Sequence, residues 1–301
     1  MATDPIDVAA FTSMLLLTPD VFPPLSATAQ VEIAAQSRAA RSHPANEDHY
    51  IVVKLGRYTE TLLTSLPESV VGKRFDEQAY GMVVADGMGE AGELASRLAI
   101  GSLMQLAIRY GQWRLRVDDT IAREITGLVQ GFYRQIDSAL VYANRARARA
   151  PLQTTMTALL SSGRDLFFAH VGHSRSYLFR EHELMQLTRD HTRAILRDKT
   201  RSPLLDLTGT ASDRHHILTD ALGAGTSDPV IDIERVTIAD GDVVLLCTNG
   251  LTDAVADPDI ADLLASGRAL DDQCAALVTR ALDAGADDDA TAVLARYHLP
   301  E

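Results

Sequence analysis

The chain has 301 residues, 46% of them hydrophobic, enough to bury a large core in one or two domains. Its 28 basic and 41 acidic residues leave a net charge of −13, which argues against a nucleic-acid-binding face built from Lys and Arg. Two cysteines, Cys247 and Cys274, lack metal-pair spacing and are too few for a secreted disulfide scaffold, so the expected setting is a reducing cytoplasm. No apolar run reaches the roughly 18 to 20 residues that a membrane helix needs.

Residues 1–30 read as a partly helical extension. The stretch SMLLLTPDVFPPL has too short an apolar core, and no basic run before it, to be a secretory signal. No internal repeat or low-complexity linker follows, so residues 31–301 are expected to form one continuous domain. HYIVVKL (49–55) and QAYGMVVA (78–85) read as strands from their β-branched and aromatic content, with residues 56–77 as a long polar connection. Two helices are expected next. The first starts near Gly92, with Ala95, Ala99, Leu103, Leu106 and Tyr110 on one face. The second carries Ile121, Ile125, Leu128, Phe132, Ile136 and Leu140 at steps of three and four, an amphipathic stripe suited to core packing.

Strand patterns then return in TTMTALLSS, DLFFAHVG and SRSYLFR. Residues 189–222 read as a flap. VIDIERVTI and DVVLLCT are further strands, followed by helices near 259–265 and 270–283 and a last strand, ATAVLARY. Blocks of strands and blocks of helices, rather than strict alternation, favour a layered α+β fold.

Acids sit where strands meet turns: Glu47 and Asp48 in ANEDHY, Asp86 in VVADGMG, Asp253 in LLCTNGLTD, and Asp287, Asp288 and Asp289 in GADDDATAVL. One such acid is ordinarily a turn residue or a helix cap. Four clusters, most of them beside glycine, are harder to explain that way. Carboxylates gathered without cations repel one another and raise each other's pKa. With hard divalent cations they form oxygen-rich sites suited to Mg²⁺ or Mn²⁺. His and Cys are not at zinc-ligand spacing. Two such ions are a recurrent device for hydrolysing phosphate esters.

An ordered series of motifs adds to that reading. It runs NED (46–48), VADGMG (84–89) with GELAS after it, TTMTALL (154–160), AHVGHSRSYLFR (169–180), LTRDHT (187–192), ALG (221–223), GDVVLLCTNGLTD (241–253) and DDDATAVL (287–294). In this order the chain resembles the bacterial branch of the protein phosphatase 2C family, the metal-dependent Ser/Thr protein phosphatases, over roughly residues 35 to 297. The resemblance implies an α+β, four-layer αββα sandwich, two antiparallel sheets flanked by helix pairs. It implies hydrolysis of phosphoserine and phosphothreonine by a metal-bound hydroxide, with two Mn²⁺ or Mg²⁺ ions. It also implies a phosphorylated protein substrate and, as counterpart, a cognate Ser/Thr kinase. Asp86 would bridge the ions and Gly87 would offer its carbonyl. Glu47 and Asp48 would lie in or beside the second ion's shell. Asp288 would take the place of the late aspartate, with Asp289 in the family's Asn position.

Three departures from the family pattern stand out. His173 replaces the aspartate of GDSR, and Asn249 replaces that of SDGL. Both changes fall at the metal positions and remove two negative charges, so a third ion site is lost or altered. A neutral imidazole can bind Mn²⁺ but suits Mg²⁺ poorly. The alternative to an active enzyme is a pseudophosphatase that serves as a phosphoprotein-binding or regulatory module. The third departure concerns the phosphate-binding arginine, which the family places three or four residues before the NED asparagine. Here Arg41 lies five before Asn46 and is the preferred phosphate contact, with His43 second. Met88 stands where some relatives have a histidine, and His191 reads as a structural or rim residue.

Overall fold

The computed structural model describes residues 29–66, 73–111, 117, 119–145, 150–194, 216–225 and 228–299. The expected extension lies outside these residues except for its last two positions, and Gln30 already opens the first strand.

Thirteen strands are described. They are β1 (Gln30–Arg38), β2 (Asp48–Glu60), β3 (Arg74–Met88), β4 (Gln153–Thr154) and β5 (Met156–Ser162). Then come β6 (Asp165–Val171), β7 (Arg175–Arg180), β8 (Glu183–Gln186), β9 (Thr192–Ala194) and β10 (His216–Leu218), and finally β11 (Asp232–Thr237), β12 (Val243–Cys247) and β13 (Ala290–His298). The helices are α1 (Gly92–Tyr110), α2 (Asp119–Arg145), α3 (Asn249–Thr252), α4 (Asp257–Ala265) and α5 (Leu270–Asp283). One antiparallel sheet runs β1-β13-β12-β7-β8. The other runs β11-β6-β5-β3-β2, with β4 joined to the end of β3.

Three buried clusters separate four layers. Leu159, Phe168, Leu246 and Val293 lie between the two sheets. Ala95, Leu103, Ile136 and Leu140 of α1 and α2 pack on Val83 and Ala169 of the second sheet. Ile260, Leu264, Leu277 and Val278 of α4 and α5 cover Leu245 and Leu294 of the first. The expected αββα sandwich is therefore present. It explains why Val-Val-Leu-Leu-Cys of β12 shows no alternation. A central strand covered by helices on one face and by a sheet on the other is buried at every position.

The two helical stripes pack as expected, with one difference. Small Ala95 and Ala99 lie against the second sheet, but Tyr110 is 61% exposed, so the buried face of α1 ends before the helix does. In α2 the stripe is joined by Tyr133, which is fully buried and donates its hydroxyl to the Ala169 carbonyl at 2.9 Å. The expected long connection over 56–77 is shorter than predicted, because β2 extends to Glu60 and β3 starts at Arg74. Alternation is weak in those polar segments, and the pairing Glu60↔Arg74 extends the hairpin regardless. Strand β1 alternates only over Val31, Ile33 and Ala35, which pack between the sheets, and it pairs along the whole of β13. Of the expected flap, residues 195–215 lie outside the described residues. Its described flanks pair as the β9/β10 ribbon.

Candidate metal centre

The end of β3 opens into a one-turn 3-10 helix, Gly89–Ala91, and then directly into α1. That sharp exit needs Gly87 and Gly92 close together. A Cβ on Gly87 would lie 2.0 Å from the Gly92 carbonyl oxygen, and one on Gly92 would lie 2.5 Å from Glu47 Oε2. Asp86 is the last residue before this crossing. Its backbone is held by Thr155, whose N–H donates to the Asp86 carbonyl at 2.9 Å, and by the Thr154 hydroxyl at 2.7 Å. Its carboxylate oxygen Oδ2 is buried and receives no hydrogen bond among the described residues. Burial comes first, and the neighbouring Asp48, Asp288, Asp289 and Glu47 second, in pushing the Asp86 carboxyl well above the usual carboxylate range.

Strand β2 begins opposite Asp86 at Asp48. Just before it, Glu47 is pinned by its backbone. Its N–H donates to Asp289 Oδ2 at 2.6 Å, and its carbonyl accepts the Ser96 hydroxyl at 2.6 Å. Burial is also the main cause that raises the Glu47 carboxyl. From the other sheet, the turn before β13 presents Asp288, and the first residue of α3 presents Asn249. Asn249 donates its amide to Asp288 Oδ2 at 3.4 Å and to Asp253 Oδ2 at 3.3 Å, while its own Oδ1 is buried and has no partner among the described residues. Gly250 lets α3 reach the β13 turn, since a Cβ there would lie 2.2 Å from the Asp289 carbonyl oxygen. His173 follows Gly172 on the turn between β6 and β7. Its Nδ1 lies 3.7 Å from Asp86 Oδ2 and has no hydrogen-bond partner among the described residues. Burial lowers its pKa, which keeps the ring neutral near pH 7.

These groups line one cavity of about 820 Å³, together with His43, Met88, Asp253 and Asp287. Buried polar groups in proteins are ordinarily hydrogen-bonded. Here a bare Asp86 oxygen, a bare Asn249 oxygen and a bare His173 nitrogen converge among further acids. That donor set fits a divalent cation. It supplies oxygen and nitrogen lone pairs, and a cation would offset the burial and the repulsion that raise the Asp86 pKa.

Comparisons with known proteins agree with the geometry, although no family model matches the chain. The serine/threonine phosphatase Stp of Listeria monocytogenes is 29% identical over 224 residues, covering 73% of this chain and 85% of that protein. The protein phosphatase PstP of Mycobacterium tuberculosis is 30% identical over 220 residues, covering 71% of this chain and 40% of PstP. The crystal structure of the PstP catalytic domain with two manganese ions superposes with a TM-score of 0.63 at 26% identity, over 90% of this chain and all of that one. A Streptococcus agalactiae serine/threonine phosphatase shares the fold, with a TM-score of 0.67 at 22% identity over 89% of this chain and 99% of that one. The chain is thus similar in sequence and fold to bacterial serine/threonine phosphatases, as the phosphatase 2C resemblance implies.

Of the positions that the phosphatase 2C resemblance singles out, Glu47, Asp86, Gly87, His173, Asn249, Asp288 and His43 meet at the cavity. Asp48 and Arg41 do not line it. Asp48 is buried behind it, its Oδ2 accepting the hydroxyls of Thr248 and Thr291 at 2.7 Å each. Arg41 is exposed at the rim, 3.7 Å from Asp283. His191 is buried and structural. Its backbone N–H donates to the Gly172 carbonyl at 2.7 Å, and its Nε2 pairs with Asp232 at 3.1 Å.

Two roles had little signal in the sequence. Asp289 fills the family's Asn position, and its carboxylate gathers the Ala40 N–H at 2.7 Å, the Glu47 N–H and His43 Nδ1 at 3.0 Å. It thereby fixes the loop that carries both His43 and Glu47. Asp253 was visible only as one more acid at a strand end. It reaches the cavity because α3 is a single turn, which puts residue 253 over residue 249.

Proposed function

We propose that the chain is a metal-dependent phosphoprotein phosphatase acting on phosphoserine and phosphothreonine. The observation that carries this reading is the buried, unpartnered carboxylate of Asp86 facing a cavity lined by other acids. The names of the relatives support the activity, and the manganese in the PstP structure supports the metal. The curated relatives named above are all phosphatases, so the alternative of a silent binding module finds no support among them.

Asp86, the Gly87 carbonyl, Glu47 and Asp288 are the groups we assign to hold two Mn²⁺ or Mg²⁺ ions, with Asn249 contributing its bare Oδ1. Divalent ions bound here supply the positive charge that draws a proton from water and offsets the charge of the ester oxygens. The protein's own part is positional. Asp48, braced by Thr248 and Thr291, keeps the start of β2 against the ends of β12 and β13. Asp289 fixes His43 through Nδ1, so that its ring lines the cavity where a phosphate would enter. The phosphoprotein enters from the open side, and a Ser/Thr kinase is its counterpart. The two free, buried cysteines suit a reducing cytoplasm.

The test is hydrolysis of p-nitrophenyl phosphate and of a phosphothreonine peptide with Mn²⁺ or Mg²⁺ titrated in. Metal-stimulated turnover that disappears in Asp86→Asn is the expected result. A wild-type protein that binds the phosphopeptide but never turns it over would make the binding module the correct reading.

A further inference from the structure

We propose that His173 supplies an imidazole nitrogen to the cation centre and thereby makes this site select Mn²⁺ over Mg²⁺. The inference rests on the metal-dependent reading above and concerns which ion the site accepts, not whether turnover follows.

Three observations converge on His173. The first is its placement. Gly172 has a φ of +116°, and a Cβ there would lie 2.5 Å from Thr155 Cβ, so the turn is fixed by packing against the strand that also holds the Asp86 backbone. The second is that His173 Nδ1 is buried without a partner among the described residues, 3.7 Å from Asp86 Oδ2, which is equally bare on a side chain 4% exposed. A separation of 3.7 Å is too long for a hydrogen bond, so the pair does not satisfy itself. Two neighbouring ligands on an octahedral ion with bonds of about 2.1 Å stand about 3 Å apart, which a small side-chain movement reaches from here. The third is the neutral amide of Asn249, whose bare Oδ1 lines the same cavity. Imidazole and amide replace two carboxylates at once.

The consequence for the ion follows from donor chemistry. Mg²⁺ dehydrates reluctantly and prefers oxygen ligands, carboxylates above all. Mn²⁺ shares the preference of Mg²⁺ for oxygen ligands but, as a first-row transition ion with a less rigid hold on its water, accepts an imidazole nitrogen more readily than Mg²⁺ does. Exchanging two carboxylates for one nitrogen and one neutral oxygen therefore weakens Mg²⁺ more than Mn²⁺. Restoring the acid at position 173 should reverse the change.

Pulsed EPR on the full-length protein loaded with Mn²⁺ tests this without any substrate. The expected wild-type spectrum shows modulation from a directly bound ¹⁴N, replaced by the ¹⁵N pattern when histidine is ¹⁵N-labelled. The coupling should vanish in His173→Asp and persist in His43→Gln, since His43 is the other imidazole at the cavity. Calorimetric titration should show the ratio of Mn²⁺ to Mg²⁺ affinity falling about tenfold in His173→Asp. No nitrogen coupling in the labelled wild type, coupling that survives in His173→Asp, or failure to bind Mn²⁺ would each overturn the inference. Loss of the coupling in His43→Gln would overturn it as well, and absence of coupling in the labelled wild type overturns it even if the variants fold poorly. Nitrogen coupling without phosphopeptide hydrolysis overturns the catalytic proposal alone, and hydrolysis without nitrogen coupling overturns this one alone.

Discussion

Asp48 and Asp86 are directly opposite each other on β2 and β3. Both are buried, and burial pushes both carboxyls well above the usual range. Their partners differ. Asp48 Oδ2 collects two threonine hydroxyls from the ends of β12 and β13. Those hydroxyls extend into a chain through Ser37 to the Asn46 amide. Asp86 Oδ2 collects nothing among the described residues and faces the cavity. Burial and charge are thus shared by a braced carboxyl and one we assign as a ligand. Each keeps one oxygen without a hydrogen bond among the described residues, but only Asp86 lines the cavity.

The strongest way to break that contrast is to neutralise each acid in turn. Asp86→Asn should cut metal-dependent turnover at least about 10³-fold, about 4 kcal/mol of barrier. The same change removes a charge held among other acids, so the metal-free protein should melt at a higher temperature in calorimetry. Asp48→Asn should act mainly on the fold. Its amide oxygen can still accept both hydroxyls, but the NH2 group would replace a buried oxygen that has no partner among the described residues, and about 1–3 kcal/mol of stability should be lost in urea titration. If folded Asp48→Asn lost as much turnover as Asp86→Asn, the division into brace and ligand would fall.

pH sharpens the same contrast in the metal-free protein. A carboxyl whose folded pKa is raised holds its proton more tightly when folded. Its contribution is most favourable at low pH and is lost as pH rises above the ordinary value of 3.8 and through the folded pKa. The melting temperature of the metal-free protein should therefore fall as pH is raised from about 4. The fall should be shallower in Asp86→Asn, and saturating Mn²⁺ should offset it by favouring the ionised form.

Much of the candidate site could be read in the sequence because the residues assigned to it sit at chain landmarks. Asp86 ends an apolar run before glycine and Asp288 lies just before the last strand, and the order of the motifs around them, not either acid alone, singled them out. The buried strands β12 and β13 and helices α1 and α2 were visible through a sustained apolar pattern. What escaped depended on contacts between distant residues. Thr248 and Thr291 look like ordinary strand-end threonines until β12 pairs with β13 beside Asp48. Strand β1 has only a short apolar alternation of its own, Val31, Ile33 and Ala35, and pairs with β13 along its whole length. Asp289 stands out in the sequence only as a substitution in a motif, yet it anchors a loop about 240 residues earlier, which no local pattern could show.

The smallest expected effect concerns the two candidates for phosphate contact. His43 lines the cavity and is oriented by Asp289, whereas Arg41 is 84% exposed and 3.7 Å from an exposed Asp283. A solvent-exposed pair of this kind contributes little and leaves the guanidinium outside the cavity wall. His43→Gln keeps the size of the side chain but not the imidazole, and should raise the KM for a phosphothreonine peptide about fivefold, near 1 kcal/mol. Arg41→Ala should change it less than about twofold. Steady-state kinetics on both variants at saturating Mn²⁺ decides the order. A larger effect at Arg41 would mean that its loop swings inward when the phosphopeptide binds, and the spacing five residues before Asn46 would then be long enough for the family's arginine role after all.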